Sequence, residues 1–220
     1  LGGLVGDPIT KKYPKLSHQI NEIGIKSCIN FFENKNIDKL VFISTCSNYG
    51  LIGDNEFADE EYELKPLSLY AEAKVSAERH LISKKNKVDY CPTILRFATA
   101  FGLSPRMRFD LSLNEFVRDL YFGQDLDVFD ENTWRPYCHV GDFARLVEIV
   151  INSKNSLVNF QTFNSGGEIN NFTKKMMVDL ILKKIPNGNV NYTSGGGDPR
   201  NYKVSFKKVK NVLGFEPMYT

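Results

Sequence analysis

The sequence is poor in the residues that build metal centres and disulfide frameworks. It has four cysteines and three histidines among 220 residues, and its cysteines form no CxxC or CxxH pair. Such centres bring their residues together at short spacings. The pattern therefore predicts no metal site, and it indicates reduced, mostly buried thiols of a cytoplasmic protein. The cysteines are Cys28, Cys46, Cys91 and Cys138.

Long apolar runs and an excess of one charge are also missing. No uninterrupted apolar stretch approaches the roughly 18 residues of a membrane-spanning helix. The formal net charge is +2, and the lysines are scattered along the chain, which argues against a surface that binds polyanions. We therefore expect neither a membrane nor a nucleic acid as a partner.

One glycine-rich motif is absent as well. A dinucleotide-binding fold usually begins with a strand, a glycine-rich turn and a helix, where bare backbone approaches the pyrophosphate. The main glycine cluster of this chain, within residues 194–199, follows no long hydrophobic strand and enters no immediate helix. We predict that this cluster is a loop.

Predicted strands and helices nonetheless alternate in the first half of the chain, as a parallel sheet requires. A helical pattern over 16–34 is followed by an apolar strand over 40–44, a helix over 70–82 and a second strand over 91–97. Strand, helix and strand at this spacing predict a doubly wound α/β fold with a parallel sheet. Beyond about residue 103 shorter pieces alternate with polar loops, which indicates a second lobe.

Tyr70 and Lys74 are the residues most informative about chemistry. Four positions apart on a helix, their side chains project from one face. An ammonium beside a phenol lowers the pKa of tyrosine from its usual value of about 10, so that Tyr70 could act as a general base. A chain with 10 tyrosines shows this spacing by chance, so the context decides. The preceding apolar strand delivers Ser44 and Thr45 at its carboxyl end, where open α/β sheets bind ligands.

These motifs together resemble the extended short-chain dehydrogenase/reductase family, which contains NAD-dependent nucleotide-sugar epimerases and dehydratases such as UDP-glucose 4-epimerase. The resemblance is carried by segments 41–50 (VFISTCSNYG), 66–74 (PLSLYAEAK) and 134–142 (WRPYCHVGD). It implies a Rossmann-type fold that binds NAD, with NADP as an alternative, and a nucleotide-sugar substrate. Residues 1–103 would be the C-terminal part of the NAD-binding domain, and residues 104–220 mainly a substrate-binding lobe with some elements returning to the sheet.

The resemblance also implies that the chain is a fragment. Its first three residues match a Leu-Gly-Gly segment on the family's fourth strand, and residues 213–217 resemble the point just before the family's last helix. We therefore expect the native gene product to carry a preceding strand, glycine-rich turn and helix, and this chain alone can be inactive.

The same resemblance assigns roles near the cofactor. Thr45 would hydrogen-bond the reacting sugar oxygen, Tyr70 would be the acid and base, and Lys74 would tune Tyr70 and bind the nicotinamide ribose. An alternative role for Thr45 is that of a strand-end hydroxyl that satisfies the loop backbone. The alternative for Asn21 is that it is an ordinary polar residue of a helix. The expected cofactor contacts are Leu1, Gly2, Gly3, Asn21, Ser44, Tyr70, Lys74 and Phe97.

On the substrate side, Arg135 resembles the arginine that grips the substrate diphosphate, and its planar fork suits phosphate oxygens. Pro136 replaces the acid that the family more often has next to it. Arg200 would be a second clamp or an exposed loop arginine. The sugar pocket would involve Thr99, Arg106, Arg108 and Asn114. Thr99 stands where the family usually has asparagine.

The residues that follow Thr45 bear on the type of reaction. Where 4,6-dehydratases carry an aspartate and a glutamate, this chain has Cys46 and Ser47, so dehydration is disfavoured. The resemblance predicts epimerisation of a nucleoside-diphosphate sugar through a transient keto intermediate. A 4-ketoreductase that consumes NADPH, and a non-catalytic cofactor-binding or scaffolding relative, are the alternatives. A homodimer is expected, because the helices of 16–34 and 70–82 resemble the family's four-helix interface.

Overall fold

The structure of the chain is a computed structural model that describes residues 3–53, 55–195 and 200–220. Leu1 and Gly2, two of the expected cofactor contacts, lie outside the described residues, and so do residues 196–199 of the predicted glycine loop. Within the described ranges, no helix is both long and apolar enough to cross a membrane.

Helices and strands alternate along most of the chain. The helices are α1 (Asp7–Lys12), α2 (Pro14–His18), α3 (Ile25–Phe32), α4 (Leu69–Ile82), α5 (Ser112–Tyr121), α6 (Val140–Asn152), α7 (Asn155–Val158), α8 (Lys174–Leu182) and α9 (Lys207–Leu213). The strands are β1 (Lys39–Thr45), β2 (Cys91–Phe97), β3 (Thr99–Phe101), β4 (Leu126–Phe129), β5 (Trp134–His139), β6 (Gln161–Ser165), β7 (Asn171–Thr173) and β8 (Val190–Thr193). A π-helical segment, Gln19–Gly24, joins α2 to α3, and 3₁₀ turns cover Cys46–Tyr49 and Glu168–Asn170.

A parallel sheet in the order β1-β2-β6 forms the centre of the fold. Side chains alternate across it, so that Ile94 joins a cluster with α3 and α4 while its neighbour Leu95 joins one with α6 and α9. Helices thus cover both faces, and the predicted α/β fold is confirmed. In register, Thr45 lies beside Phe97, which places the ends of β1 and β2 at one edge.

Beyond this sheet lie two smaller ones, β3-β5-β7 and β4-β8. Their core is a second apolar cluster in which α5 and α8 pack together, with Phe116, Leu120, Val128, Met177, Val178 and Ile181 as members. β3 pairs with β5 directly after β2 ends. The second cluster therefore begins where the carboxyl edge of the central sheet stops.

A buried ion pair fastens α4 to this edge. Arg96 on β2 donates to Glu78 on α4, with Nη2 2.7 Å from Oε2 and Nε 3.1 Å from Oε1, and the two side chains are only 6% and 1% exposed. Glu78 also accepts hydrogen bonds from Ser44 Oγ and, at 2.9 Å, from Asn48 Nδ2. Burial opposes the charged guanidinium, but its contacts with Glu78 and Tyr49 together outweigh burial and raise the pKa of Arg96. The carboxylate therefore joins α4, β1 and β2.

Replacing Glu78 with alanine should lower the free energy of unfolding by about 3–5 kcal/mol, because a buried guanidinium loses its partner. Urea denaturation measures this change, with the exposed Glu61→Ala as the control, for which we expect a change within about 0.5 kcal/mol. The double variant Glu78→Leu, Arg96→Met should recover much of the loss. A loss below about 1 kcal/mol for Glu78→Ala would contradict this role.

Candidate active site

Thr45 lies at the end of β1 and caps the turn that follows. Its Oγ1 accepts a hydrogen bond of 3.1 Å from Ser47 N, and the residue is 8% exposed. A hydroxyl that accepts in this way still has its own hydrogen to donate. The neighbouring Ser44 hydroxyl, an expected cofactor contact, instead donates to Glu78. Of these two hydroxyls, Thr45 is the one in a position to serve a ligand.

Tyr70 and Lys74 occupy the first turns of α4, whose N-terminus is capped by Ser68 Oγ at 3.3 Å from Ala71 N. Lys74 Nζ donates to Ile43 O at 2.7 Å. The same ammonium lies 4.9 Å from the ring centroid of Phe42 and 5.8 Å from that of Tyr70. The lysine therefore holds α4 against the end of β1, with both predicted catalytic side chains at that edge.

The electrostatics of Tyr70 differ from the expectation. Burial raises the pKa of Tyr70 to about 12, the charge of Arg108 lowers it, and Tyr202 raises it. Among the described residues Arg108, and not Lys74, thus supplies the cation that favours the phenolate. The predicted lowering of the Tyr70 pKa by Lys74 is wrong for this structure, because burial is the largest influence on this phenol. Burial also lowers the pKa of Lys74 to about 8, against the attraction of Glu78.

Arg108 is held by its own loop. Its Nε and Nη2 donate to the two carboxylate oxygens of Asp110, at 3.0 and 2.6 Å. Asn114, expected in the sugar pocket, donates from Nδ2 to Arg108 O at 3.0 Å and so fixes the loop. Arg106 lies exposed on the same loop, where its carbonyl accepts from Ser104 Oγ at 2.8 Å. Of the two arginines that the resemblance places near the sugar pocket, the loop therefore brings Arg108 to Tyr70.

The expected diphosphate arginines converge on Tyr202. The guanidinium carbon of the buried Arg135 is 5.0 Å from the Tyr202 ring centroid, and its Nη1 donates to Trp134 O at 2.7 Å. Burial raises the pKa of Tyr202, while the charges of Arg135 and Arg200 lower it. Tyr202 also acts electrostatically on Tyr70. Tyr202 is therefore acted on by both arginines and itself acts on Tyr70.

Sequence reasoning did not single out Tyr202. Its hydroxyl lies 3.2 Å from Ser47 Oγ, a partner 155 positions away in the chain. No local pattern signals such a contact, since only the fold brings the two segments together.

Two expected cofactor contacts near the start of the chain meet each other. The buried Asn21, in the π-helical segment, accepts from Leu4 N at 2.9 Å and donates to Leu4 O at 2.7 Å and Ser17 Oγ at 3.1 Å. A Cβ atom on Gly3 would lie 2.9 Å from Asn21 Oδ1, so this approach requires glycine. Asn21 thus ties the first residues to the helix, and π-helical turns are frequent at functional sites.

Phe97 and Thr99 lie where the central sheet meets the second lobe. The Phe97 ring stacks on Phe143, with centroids 3.8 Å apart, and Thr99 pairs with Tyr137 at the start of β3.

Within the described ranges, no group of three or more His, Cys, Asp or Glu residues is arranged to hold a metal ion.

The pKa of Lys74 predicts a pH effect on stability. With a pKa of about 8 when folded and 10.5 as the ordinary value, Lys74 binds more protons in the unfolded chain between these limits. The free energy of unfolding should therefore rise with pH across that window. Lys74→Met should lack this contribution, and urea denaturation at about pH 7, 8.5 and 10 compares the two slopes. Equal slopes would show that Lys74 is not desolvated in the folded protein.

Comparisons with known proteins identify the family and the fold. Residues 1–166 match the model of the NAD dependent epimerase/dehydratase family. A UDP-glucose 4-epimerase of Rhizobium meliloti is 28% identical over 236 residues, which cover 98% of this chain and 70% of the relative. A UDP-glucuronic acid 4-epimerase of Bacillus cereus, solved with UDP-glucuronic acid and NAD, superposes with a TM-score of 0.87 at 21% identity, covering 100% of this chain and 69% of that one.

A third similar structure is a dehydratase. The dTDP-glucose 4,6-dehydratase DesIV of Streptomyces venezuelae, solved with NAD, has a TM-score of 0.85 and 20% identity, with 100% of this chain and 67% of that one covered. At these identities the two solved structures show a shared Rossmann-type fold. The chain spans between 67% and 70% of the three proteins.

Proposed function

Because the chain belongs to the NAD dependent epimerase/dehydratase family, we propose that it provides the catalytic residues for NAD-dependent epimerisation of a nucleoside-diphosphate sugar. The observation that carries the proposal is the meeting of Thr45, Tyr70 and Lys74 at the carboxyl end of β1, where Lys74 Nζ lies 2.7 Å from Ile43 O. Parallel α/β sheets bind ligands at that end.

The residues at this edge fit NAD. The partly buried Lys74 ammonium is a donor suited to ribose hydroxyls, and the close approach at Gly3 leaves bare backbone beside Asn21. Lys74, Gly3, Asn21 and Phe97 would hold the cofactor, and NADP is the alternative form. When bound, NAD supplies the acceptor and donor of hydride.

In the proposed reaction Tyr70 moves the proton. Its phenolate would take the proton of a sugar hydroxyl while the hydrogen on the same carbon leaves as hydride, which gives a keto sugar. Thr45 Oγ1 would donate to that oxygen. Return of hydride to the other face, with Tyr70 giving back the proton, yields the epimer. The pKa of Tyr70 is about 12 in the free protein although the charge of Arg108 already lowers it, so the phenolate would need further positive charge beside it when the ligands are bound.

Two residues next to Thr45 argue against dehydration. Cys46 is 1% exposed, its Sγ lies 3.1 Å from Arg96 O, and burial raises the pKa of its thiol. Ser47 faces the Tyr202 hydroxyl at 3.2 Å. Neither side chain is a carboxyl group that could serve as acid or base, whereas the phenol of Tyr70 suffices for epimerisation.

The test uses the full gene product with UDP-glucose, UDP-glucuronic acid and dTDP-glucose, followed by proton NMR. Interconversion of C4 epimers with catalytic amounts of NAD supports the proposal. Net consumption of NADPH would assign the protein to reduction of a keto sugar instead, and binding without turnover would indicate a non-catalytic relative.

Tyr70→Phe should lower kcat by about a thousandfold, because general acid–base catalysis contributes about 10² to 10⁴. The Kd for NAD should change little, since the ring remains. Steady-state kinetics and calorimetry measure the two quantities. Tyr192→Phe is the matched control, because this β8 tyrosine also lies under a cation, Lys175 at 5.0 Å. More than a tenth of the wild-type kcat in Tyr70→Phe would place the base elsewhere.

Arg135→Ala should raise KM about tenfold to a hundredfold, because charge-assisted bonds to phosphate contribute about 1.5–3 kcal/mol. Some loss of kcat should accompany it, since remote binding also orients the sugar. Arg135→Lys should recover only part, because an ammonium cannot make the forked contact. The half-exposed Arg118→Ala is the control. An unchanged KM with a lowered thermal midpoint would make Arg135 a fold residue.

We further propose that the protein is a homodimer through the surface formed by residues 16–34 and helix α4. Large apolar side chains are exposed there, among them Ile20 at 39%, Ile23 at 49% and Phe31 at 61%. Exposed apolar patches mark association surfaces. Light scattering at micromolar concentration should give twice the chain mass, and Ile20→Lys with Ile23→Lys should give a folded monomer. A wild-type monomer would contradict the proposal.

A further inference from the structure

Residues 201–205 form a segment that joins the loop after β1 to strand β5. On one side, Ile52 N donates to Asn201 O at 2.9 Å. On the other side, Trp134 N donates to Asn201 Oδ1 at 2.9 Å, and Tyr202 N donates to Trp134 O at 3.3 Å. The backbone around Tyr202 is therefore fixed to both the catalytic edge and the strand that carries Arg135.

The Tyr202 side chain continues this connection. It is 3% exposed, its hydroxyl lies 3.2 Å from Ser47 Oγ, and Ser47 N in turn donates to Thr45 Oγ1 at 3.1 Å. Its ring lies under the guanidinium of Arg135, 5.0 Å from the guanidinium carbon. One phenol thus contacts the turn of the catalytic hydroxyl with its oxygen and the expected diphosphate arginine with its ring.

We propose that Tyr202 is a positioning residue whose ring orients Arg135 toward the substrate diphosphate and whose hydroxyl orients, through Ser47, the turn that carries Thr45. This inference rests on the proposed function and deepens it. Holding a diphosphate and a reacting hydroxyl at a fixed separation reduces the entropy lost on reaching the transition state. The charges of Arg135 and Arg200 both act on Tyr202, which agrees with this central place.

The two parts of the side chain make separable predictions. Tyr202→Phe keeps the ring and removes the hydroxyl, so kcat should fall about threefold to tenfold, the equivalent of one hydrogen bond, with KM unchanged. Tyr202→Leu removes the ring as well, so KM should also rise about fivefold to twentyfold through loss of the cation–π contact. Tyr192→Phe, the matched control, should change neither constant.

Ser47, the partner of the Tyr202 hydroxyl, provides an independent test of the proposal. Ser47→Ala should lower kcat as Tyr202→Phe does, and the double variant should be no slower than either single one, because both remove the same contact. Multiplied losses in the double variant would overturn the coupling through Ser47. A lowered thermal midpoint with unchanged kcat and KM in the Tyr202 variants would make this tyrosine a fold residue and overturn the proposal.

A binding measurement separates this inference from the proposed function. Calorimetry with UDP and dTDP should show weaker binding by Tyr202→Leu than by wild type, and unchanged binding by Tyr202→Phe. If the wild type binds a diphosphate without epimerising any sugar, the proposed function fails and this arm still decides the role of the ring. If the wild type is active and the variants match it, the positioning role alone fails. Binding of neither nucleotide by the wild type would overturn both.

Discussion

The buried pair between Glu78 and Arg96 is the constraint on which the placement of Tyr70 and Lys74 beside the end of β1 depends. Isolated charges at such depth would lose several kcal/mol of hydration each, so the pair persists only with close geometry and further hydrogen bonds. Glu78 lies one helical turn after Lys74 and two after Tyr70, on the same face of α4. The bonds that hold the Glu78 carboxylate therefore also fix the position of α4, and with it that of Tyr70 and Lys74, relative to the ends of β1 and β2.

The burial of Tyr70 and Lys74 at this edge shifts the pKa of both side chains. Burial raises the pKa of Tyr70 to about 12 and lowers that of Lys74 to about 8. Both shifts favour the neutral form, and they oppose the deprotonated phenol that the proposed reaction needs. Positive charge close to Tyr70 must therefore restore its acidity. Arg108 does so in part, and its bond pair to Asp110 keeps the guanidinium in place.

Local patterns in the sequence were enough to predict two of the three strands of the central sheet and the helix that carries Tyr70. The predicted strands 40–44 and 91–97 agree with β1 and β2, and the helix over 70–82 agrees with α4, because alternation and helical spacing are properties of neighbouring residues. The direction of the Lys74 ammonium was not predictable, since its acceptor, the Ile43 carbonyl, lies on another element. The role of Tyr202 depends on Ser47, 155 positions away, and only the fold supplies that information.

The chemistry of the site is therefore decided more by contacts between distant segments than by the motif itself. Thr45, Tyr70 and Lys74 are compatible with epimerisation, reduction or dehydration. At the two positions where 4,6-dehydratases carry a carboxylate pair, Cys46 is buried against Arg96 O and Ser47 meets the Tyr202 hydroxyl. A hydroxyl pair can orient a neighbour but cannot remove a proton at neutral pH, since neither hydroxyl ionises there. In the proposed reaction, proton transfer would therefore fall to Tyr70, whose phenolate the charge of Arg108 favours against burial.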